Sequence, residues 1–385
     1  MLLQIPVVAL FYALPAWSLI HWLPIESGLW LWGVIVFFSI QGVMLIFGRD
    51  AAFLKEGKAA RTVYRLSMLS FVLILNLFMA SVIHLLIRGI IALGSWNVAG
   101  SVTLVPLFSA ALLIVAAGIL NARNLRVRRI VFDTSVFPET WRNRRIVFFS
   151  DTHYGTLNGP GMAEILVRKI ESLNPDLIIC GGDLFDGPKG MFDATLDILT
   201  RLQAPLGVLA VLGNHDYYYL SRPGSSRNLL KRQRNREEMP MGEETCLATV
   251  KRALPWRFLE NESITIDNVI FAGLRPFSIK DEKMAVKFLS GLDTEKPTIL
   301  INHKPQQIEE AAKAGIRLQL SGHTHGGPVF PMNIIMKRML KGRHFGTSQQ
   351  DGMILDTSSG SGISLWYPRT AGRHEVVVVE MSKKS

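Results

Sequence analysis

Asp, His and Asn residues gather in five short motifs between positions 151 and 325: Asp151-Thr152-His153, Gly182-Asp183-Leu184-Phe185-Asp186, Gly213-Asn214-His215-Asp216, Asn302-His303-Lys304 and Gly322-His323-Thr324-His325. Five of the nine histidines of the chain fall inside them. Imidazole, carboxylate and amide donors together suit divalent Mn, Fe or Zn and do not choose among them. Two such cations about 3.5–4 Å apart can bind a phosphate, generate a nucleophile from water at neutral pH and stabilise charge during in-line displacement at phosphorus. A pair of that kind needs a carboxylate reaching both ions, and Asp183 is the natural bridge. The chemistry these residues spell is phosphoester hydrolysis with two metals.

Something must hold these groups together. An apolar run of mostly branched or aromatic residues precedes each motif, at 146–149, 177–180, 208–212, 298–301 and 317–320. Short runs without polar alternation are the pattern of strands buried on both faces. Each motif therefore sits where a strand leaves its sheet, the position at which open α/β sheets collect ligands. Amphipathic stretches at 164–173, 192–202 and 308–314 read as helices between these strands, and 375–379 reads as a closing strand. Strand and helix alternation predicts a layered α/β domain. Outside the motifs, His21, His84, His344 and His374 read as non-ligands. Cys180 and Cys246 are too few for a disulfide framework or a zinc cluster, and Cys180 falls in a core strand.

In this order the motifs resemble the calcineurin-like metallophosphoesterase superfamily over residues 146–385. The resemblance implies two mixed β-sheets sandwiched between helices. By motif, it implies that Asp151, His153, Asp183 and His325 hold one metal and that Asp183, Asn214, His303 and His323 hold the second, with Mn the working choice from the family. His215 is then the unligated imidazole beside the scissile phosphate, Asp216 orients its ring, and Asp186 supports the site by hydrogen bonding. Ser150 to Gly155, Ser321 to Gly327 and the segment 359–362 are similar to a membrane-associated branch. That branch includes transmembrane proteins with a metallophosphoesterase domain and enzymes that cleave the pyrophosphate of UDP-2,3-diacylglucosamine in lipid A synthesis. Pro328 departs from the Gln often found after the double glycine, which bears on substrate and not on metal binding.

The first third of the chain is a different material. Residues 1–25, 27–48, 66–87 and 89–122 contain no Asp, Glu, Lys or Arg, and each is long enough to cross a bilayer as a helix of about 20 residues. Four transmembrane helices are expected, near 2–22, 28–47, 66–87 and 101–121. The first lacks the basic start of a secretory signal and runs into the next apolar span. Asn76 and His84, the polar residues inside a span, are explained by interhelical hydrogen bonding, so the region reads as an anchor. The domain plan is 1–122 membrane helices, 123–145 a basic juxtamembrane linker, and 146–385 the metallophosphoesterase domain.

Two further stretches, 222–236 and 332–344, follow metal motifs and are rich in Lys and Arg. Beside a membrane they read as a rim drawing a phosphorylated or nucleotide-linked lipid toward the metals. The formal net charge of +11 would also suit nucleic acid, but the membrane-length segments argue against it. Soluble phosphodiesters or monoesters are the competing substrate class, while a non-enzymatic scaffold with a vestigial site would require lost ligands, and none is lost. Arg49, Lys55, Lys58, Arg61 and Arg65 lie between the second and third spans, and Arg123, Arg126, Arg128 and Arg129 follow the fourth. The positive-inside rule then puts both termini and the hydrolase domain on the cytoplasmic side of the cell membrane. A reporter fused to the C-terminus should be active in the cytoplasm; activity only outside it would overturn the orientation.

Overall fold

The computed structural model describes residues 4–48, 58–155, 157–186, 193–220, 246–276, 282–293, 295–363 and 367–382. The basic stretch 222–236 lies outside the described residues. The chain divides into two units, Met1–Arg123 with Leu365–Thr370, and Asn124–Ser364 with Ala371–Ser385.

The first unit holds α1 (Gln4–Trp22), α2 (Gly28–Val43) continuing into a π turn at Met44–Gly48, α3 (Lys58–Leu93) and α4 (Gly100–Asn121). Among the described residues α3 and α4 are long and apolar enough to cross a membrane, while α2 is apolar but shorter, at 16 residues. The α3 helix outruns the expected span at both ends. Its 36 residues make a rod of about 54 Å, against a hydrocarbon layer of about 30 Å. Leu93, Leu113 and Leu120 stand on these helices with more than two-thirds of their surface bare, a surface suited to lipid and not to water. Some polar groups among the helices are hydrogen-bonded, as an apolar medium favours. The Asn76 amide donates to the Val72 carbonyl at 2.8 Å, within its own helix and not across helices as expected. His84 Nδ1 and Thr103 Oγ1, 2.9 Å apart, do link α3 to α4.

The second unit is built on two six-stranded mixed sheets. The first contains β1 (Arg126–Asp133), β2 (Arg145–Phe149), β4 (Leu177–Cys180), β6 (Val208–Ala210), β7 (Arg257–Phe258) and β14 (Glu375–Ser382), in the order β1-β14-β2-β4-β6-β7. The second contains β8 (Glu262–Ile266), β9 (Val269–Gly273), β10 (Thr298–Ile301), β11 (Leu318–Ser321), β12 (Gly346–Gln350) and β13 (Met353–Thr357), in the order β12-β13-β11-β10-β9-β8. A small parallel pair, β3 (Tyr154–Gly155) with β5 (Phe185–Asp186), joins the first two motifs directly.

Side-chain alternation explains why the strand runs are apolar throughout. In β2, Ile146 and Phe148 point between the sheets, where they meet Phe271, Ile299 and Leu320. Val147 and Phe149 point the other way, against Leu166, Val167 and Ile170 of α5 (Pro160–Glu171). A strand covered on both faces has no polar side to display. On the far side of the second sheet, Leu300 and Leu355 pack with Ala285, Leu289 and Ile308, from helices Glu282–Ser290 and Ile308–Lys313.

One reading needs correction. The segment expected as a linker contains β1, which pairs in parallel with β14 over eight residues from Arg126↔Glu375 to Asp133↔Ser382. The tail is a strand as expected, β14, and it lies between β1 and β2, antiparallel to the latter. Charge hid β1, because Arg128 is no surface residue. Its guanidinium makes a bidentate pair with Asp356 at 2.7 and 2.8 Å and reaches Glu375 at 3.1 Å. Both carboxylates are buried, and they come from different sheets, so one arginine fastens the two layers. Burial opposes its charge, but Asp356 and Glu375 more than offset this and hold its pKa well above the ordinary arginine value. Removing one member of such a group strands the others without compensation. Arg128→Met should lower the unfolding free energy by about 3 kcal/mol or more, read from denaturant unfolding of the full-length protein in detergent; an unchanged midpoint would contradict this role.

Candidate metal centre

All five motifs leave strands on the same sides of the two sheets. Asp151 follows β2, Asp183 follows β4, Asn214 follows β6, His303 follows β10 and His323 follows β11. The turns they make are tight: Asp151, His153, Asp183, His323 and His325 all have positive φ, between 45° and 71°. Left-handed backbone costs a residue with a Cβ roughly 1–2 kcal/mol. Mutual hydrogen bonds hold it: the Asp151 amide donates to Gly182 O at 2.8 Å, His153 N to Asp183 O at 3.0 Å and Gly322 N to His303 O at 2.9 Å. Glycines flank the donors because side chains would strike them. A Cβ at Gly213 would stand 2.0 Å from Asp183 Oδ1, and one at Gly322 would stand 2.2 Å from Asp151 Oδ2.

Three donor clusters result: Asp151 with His153 and His325, Asp183 with His303 and His323, and His153 with Asp186 and His215. In the first, His153 Nε2 and His325 Nε2 face each other at 3.0 Å, and His325 Nε2 is 3.6 Å from Asp151 Oδ1. In the second, His303 Nε2 is 3.1 Å from Asp183 Oδ2. That same Oδ2 is 3.9 Å from His153 Nε2, so the Asp183 carboxylate lies between these two clusters. Its other oxygen accepts the His215 amide at 2.8 Å, in the first turn of the helix Asn214–Leu220.

The residues fit a pair of divalent cations on their own geometry. Asn214 Oδ1 and His303 Nε2 are buried with no hydrogen-bond partner among the described residues. The His303 to Asp183 approach is thus close without being aligned as a hydrogen bond, as expected where both lone pairs converge on a third atom. His303 Nδ1 lies 2.8 Å from the Gly181 carbonyl, which can only accept, so Nδ1 carries a proton and Nε2 is the atom turned inward toward Asp183. A buried acceptor left idle costs free energy; a cation would use it. His21, His84, His344 and His374 join no donor cluster among the described residues.

Charge in the site is strongly redistributed. Burial works against ionised Asp183, but His303, His215 and His153 outweigh it and hold this carboxyl well below its usual range. Burial also works against a charged His303, yet Asp183 and Asp151 push it up to about 9. His323, partly enclosed and next to His303, is pushed down to about 3 and stays neutral. Neutral imidazole is the form a metal takes, and the protons held by raised histidines are those a cation would displace.

His215 stands beside His153, and Asp186 rather than Asp216 holds its ring. Its Nδ1 donates to Asp186 Oδ1 at 2.6 Å, and the other oxygen of Asp186 approaches His153 Nδ1 at 2.9 Å. Asp216, expected to orient His215, instead accepts the backbone amides of Leu184, Phe185 and Gly213. Following the histidine in sequence, it is turned by the helix toward the Asp183 loop, which it braces. Burial opposes the charge on His215, but Asp186 and Asp183 push the imidazole up to about 10.

Sequence reasoning also missed how the segment 359–362 is used. Ser361 N donates to Ser150 O, and Gly362 N to Asp151 O. Ser150 Oγ donates to Asp151 Oδ2 at 2.5 Å. The Ser359-Gly360-Ser361-Gly362 pattern was visible; its target strand end was not.

Residues 144–327 match the calcineurin-like phosphoesterase family. A metallophosphoesterase of Aquifex aeolicus (strain VF5) is 29% identical over 269 residues, covering 68% of this chain and 93% of that protein. The transmembrane protein with metallophosphoesterase domain of Danio rerio is 29% identical over 242 residues, 60% of this chain and 52% of its own length. The UDP-2,3-diacylglucosamine pyrophosphatase LpxG of Chlamydia muridarum (strain MoPn / Nigg) is 29% identical over 211 residues, 47% of this chain and 63% of its own length. The chain thus spans about half the length of the fish protein and somewhat under two-thirds of the chlamydial one.

If Asp183 is shared between two ions, its loss should disturb both. Asp183→Ala should purify with most of its metal gone, by elemental analysis against the wild type; full occupancy in this variant would remove the bridging role.

Proposed function

We propose, from the premise that residues 144–327 form a calcineurin-like metallophosphoesterase domain, that this phosphoester hydrolase cleaves a phosphodiester or pyrophosphate bond in a lipid-linked substrate such as UDP-2,3-diacylglucosamine. The observation that carries the chemistry is the placement of the Asp183 carboxylate between two donor clusters. In this reading Asp151, His153, Asp183 and His325 hold one divalent cation, and Asp183, Asn214, His303 and His323 the other, with Mn the working assignment. When bound, the ions supply a nucleophile from water and neutralise charge developing on the phosphoryl oxygens.

The protein's own residues do the rest. Nδ1 is held by Asp186, which sets the ring of His215 so that Nε2 can face the substrate. It is partly exposed, about 20% open at its side chain. Charged, it can donate that proton to the leaving oxygen and steady negative charge on the phosphate. Asp186 is a positioning residue, setting the ring of His215 and steering His153 at once. Asp216 fixes the loop backbone that carries Asp183.

For the substrate, support comes from the likeness to LpxG and from the membrane-length helices at the N-terminus. The reading places the four N-terminal helices across the cell membrane with both ends of the chain in the cytoplasm. Lys58 and Arg61 at the start of α3 and Arg123 after α4 agree with that orientation.

Detergent-purified full-length protein should release UMP from UDP-2,3-diacylglucosamine in a Mn-dependent reaction. His215→Ala should lower kcat about 10²–10⁴-fold and Asp186→Asn roughly 10–100-fold, both with metal retained. Hydrolysis of a soluble aryl phosphodiester without UMP release would move the assignment to soluble substrates. Undiminished turnover in His215→Ala would remove the proton-donor role.

A further inference from the structure

Residues 332–339 carry Met332, Ile335, Met336 and Met339 at the spacing i, i+3, i+4, i+7, which puts them on one face of a helix. Lys337 and Arg338 fall off that face. The structure forms the helix, Met332–Met339, and no residue of it is buried. Met332 is 40% exposed, Ile335 48% and Met339 75%. A soluble domain that spent an amphipathic helix in this way would leave its apolar stripe facing water, with nothing of its own core beneath it.

Both ends of this excursion are tied to the metal motif. At its start, Gly327 lies so close to the helix that a Cβ there would stand 2.3 Å from Asn333 Cα. At its end, the Thr324 hydroxyl donates to the His344 carbonyl, between the two histidines of the His323-Thr324-His325 turn. Arg343 is used internally, paired with Glu309 at 3.1 Å. Lys337, Arg338 and Lys341 remain exposed around the stripe.

We infer that the helix Met332–Met339 lies in the headgroup layer of an anionic lipid bilayer, its apolar face inward, and so presents the His323 and His325 end of the metal site to the membrane surface. Short apolar side chains flanked by lysine and arginine fit that layer, because the stripe enters the acyl boundary while the cations meet lipid phosphates. A bilayer is also a partner that suits the two membrane-length helices of the same chain. The inference rests on the reading of this site as one for a lipid-linked substrate.

The test uses the full-length protein reconstituted in vesicles of phosphatidylcholine with phosphatidylglycerol. Met339→Cys carries an environment-sensitive fluorophore in a Cys246→Ser background, with the buried Cys180 left in place. The control label is at Lys296→Cys, an exposed site at the end of β10 opposite His303. Nitroxide-labelled acyl chains should quench the label at 339 and not the one at 296, and Lys337→Gln with Lys341→Gln should reduce that quenching severalfold. Equal quenching at the two sites, or none at 339, would overturn the inference and point the stripe toward a protein partner. Mn-dependent release of UMP from UDP-2,3-diacylglucosamine by the same labelled protein separates the two readings. Hydrolysis without quenching leaves the phosphoesterase standing and removes the docking helix; quenching without hydrolysis does the reverse.

Discussion

The carboxylate of Asp183 is ionised in a place that water scarcely reaches, with 2% of its side chain exposed, and the rest of the domain is arranged around that fact. An isolated buried charge is costly enough that the group would ordinarily take up a proton. Here imidazoles approach it from two sides, 3.1 Å away at His303 and 3.9 Å at His153, and the first turn of a helix offers it the His215 amide. What the histidines do with protons, divalent cations would do more strongly. One carboxylate between two donor clusters is therefore both an electrostatic problem and the reason the site can hold two ions.

That arrangement demands close, strained backbone from several directions at once. Each of the five positive-φ residues in the motifs is a local cost, and no single loop could sustain it. The sheets supply the rigidity: strands covered on both faces fix where each turn begins, and the turns then bond to one another across motifs. The same logic reaches further out. Arg128 clamps Asp356 and Glu375, and Glu375 in turn accepts the amide of Ser359 at the head of the segment that covers Asp151. A residue remote from the metals thus steadies their floor through two carboxylates.

The residues of the site were legible because their chemistry forces unusual types, Asp, His and Asn, onto strand ends marked by uninterrupted apolar runs. The strands from 145 to 149 and 298 to 301 announce themselves for the same reason. Which carboxylate serves His215 was not legible, since Asp216 is the neighbour in sequence and Asp186 the neighbour in space; helical geometry decides between them. The strand β1 was hidden by its arginines, whose partners lie more than two hundred residues away, and charge near a membrane reads naturally as a linker. At the N-terminus, freedom from charge located the helices, but it could not separate α2, which is shorter than a full span, from α3, which exceeds one.

The most direct measurement is the anomalous scattering of manganese in crystals of the protein grown with Mn. Two peaks about 3.5–4 Å apart should flank Asp183, one also ringed by Asp151, His153 and His325, the other by Asn214, His303 and His323. A single peak, or a second that avoids Asn214 and His303, would contradict a carboxylate shared by two ions and with it the account of how this site works.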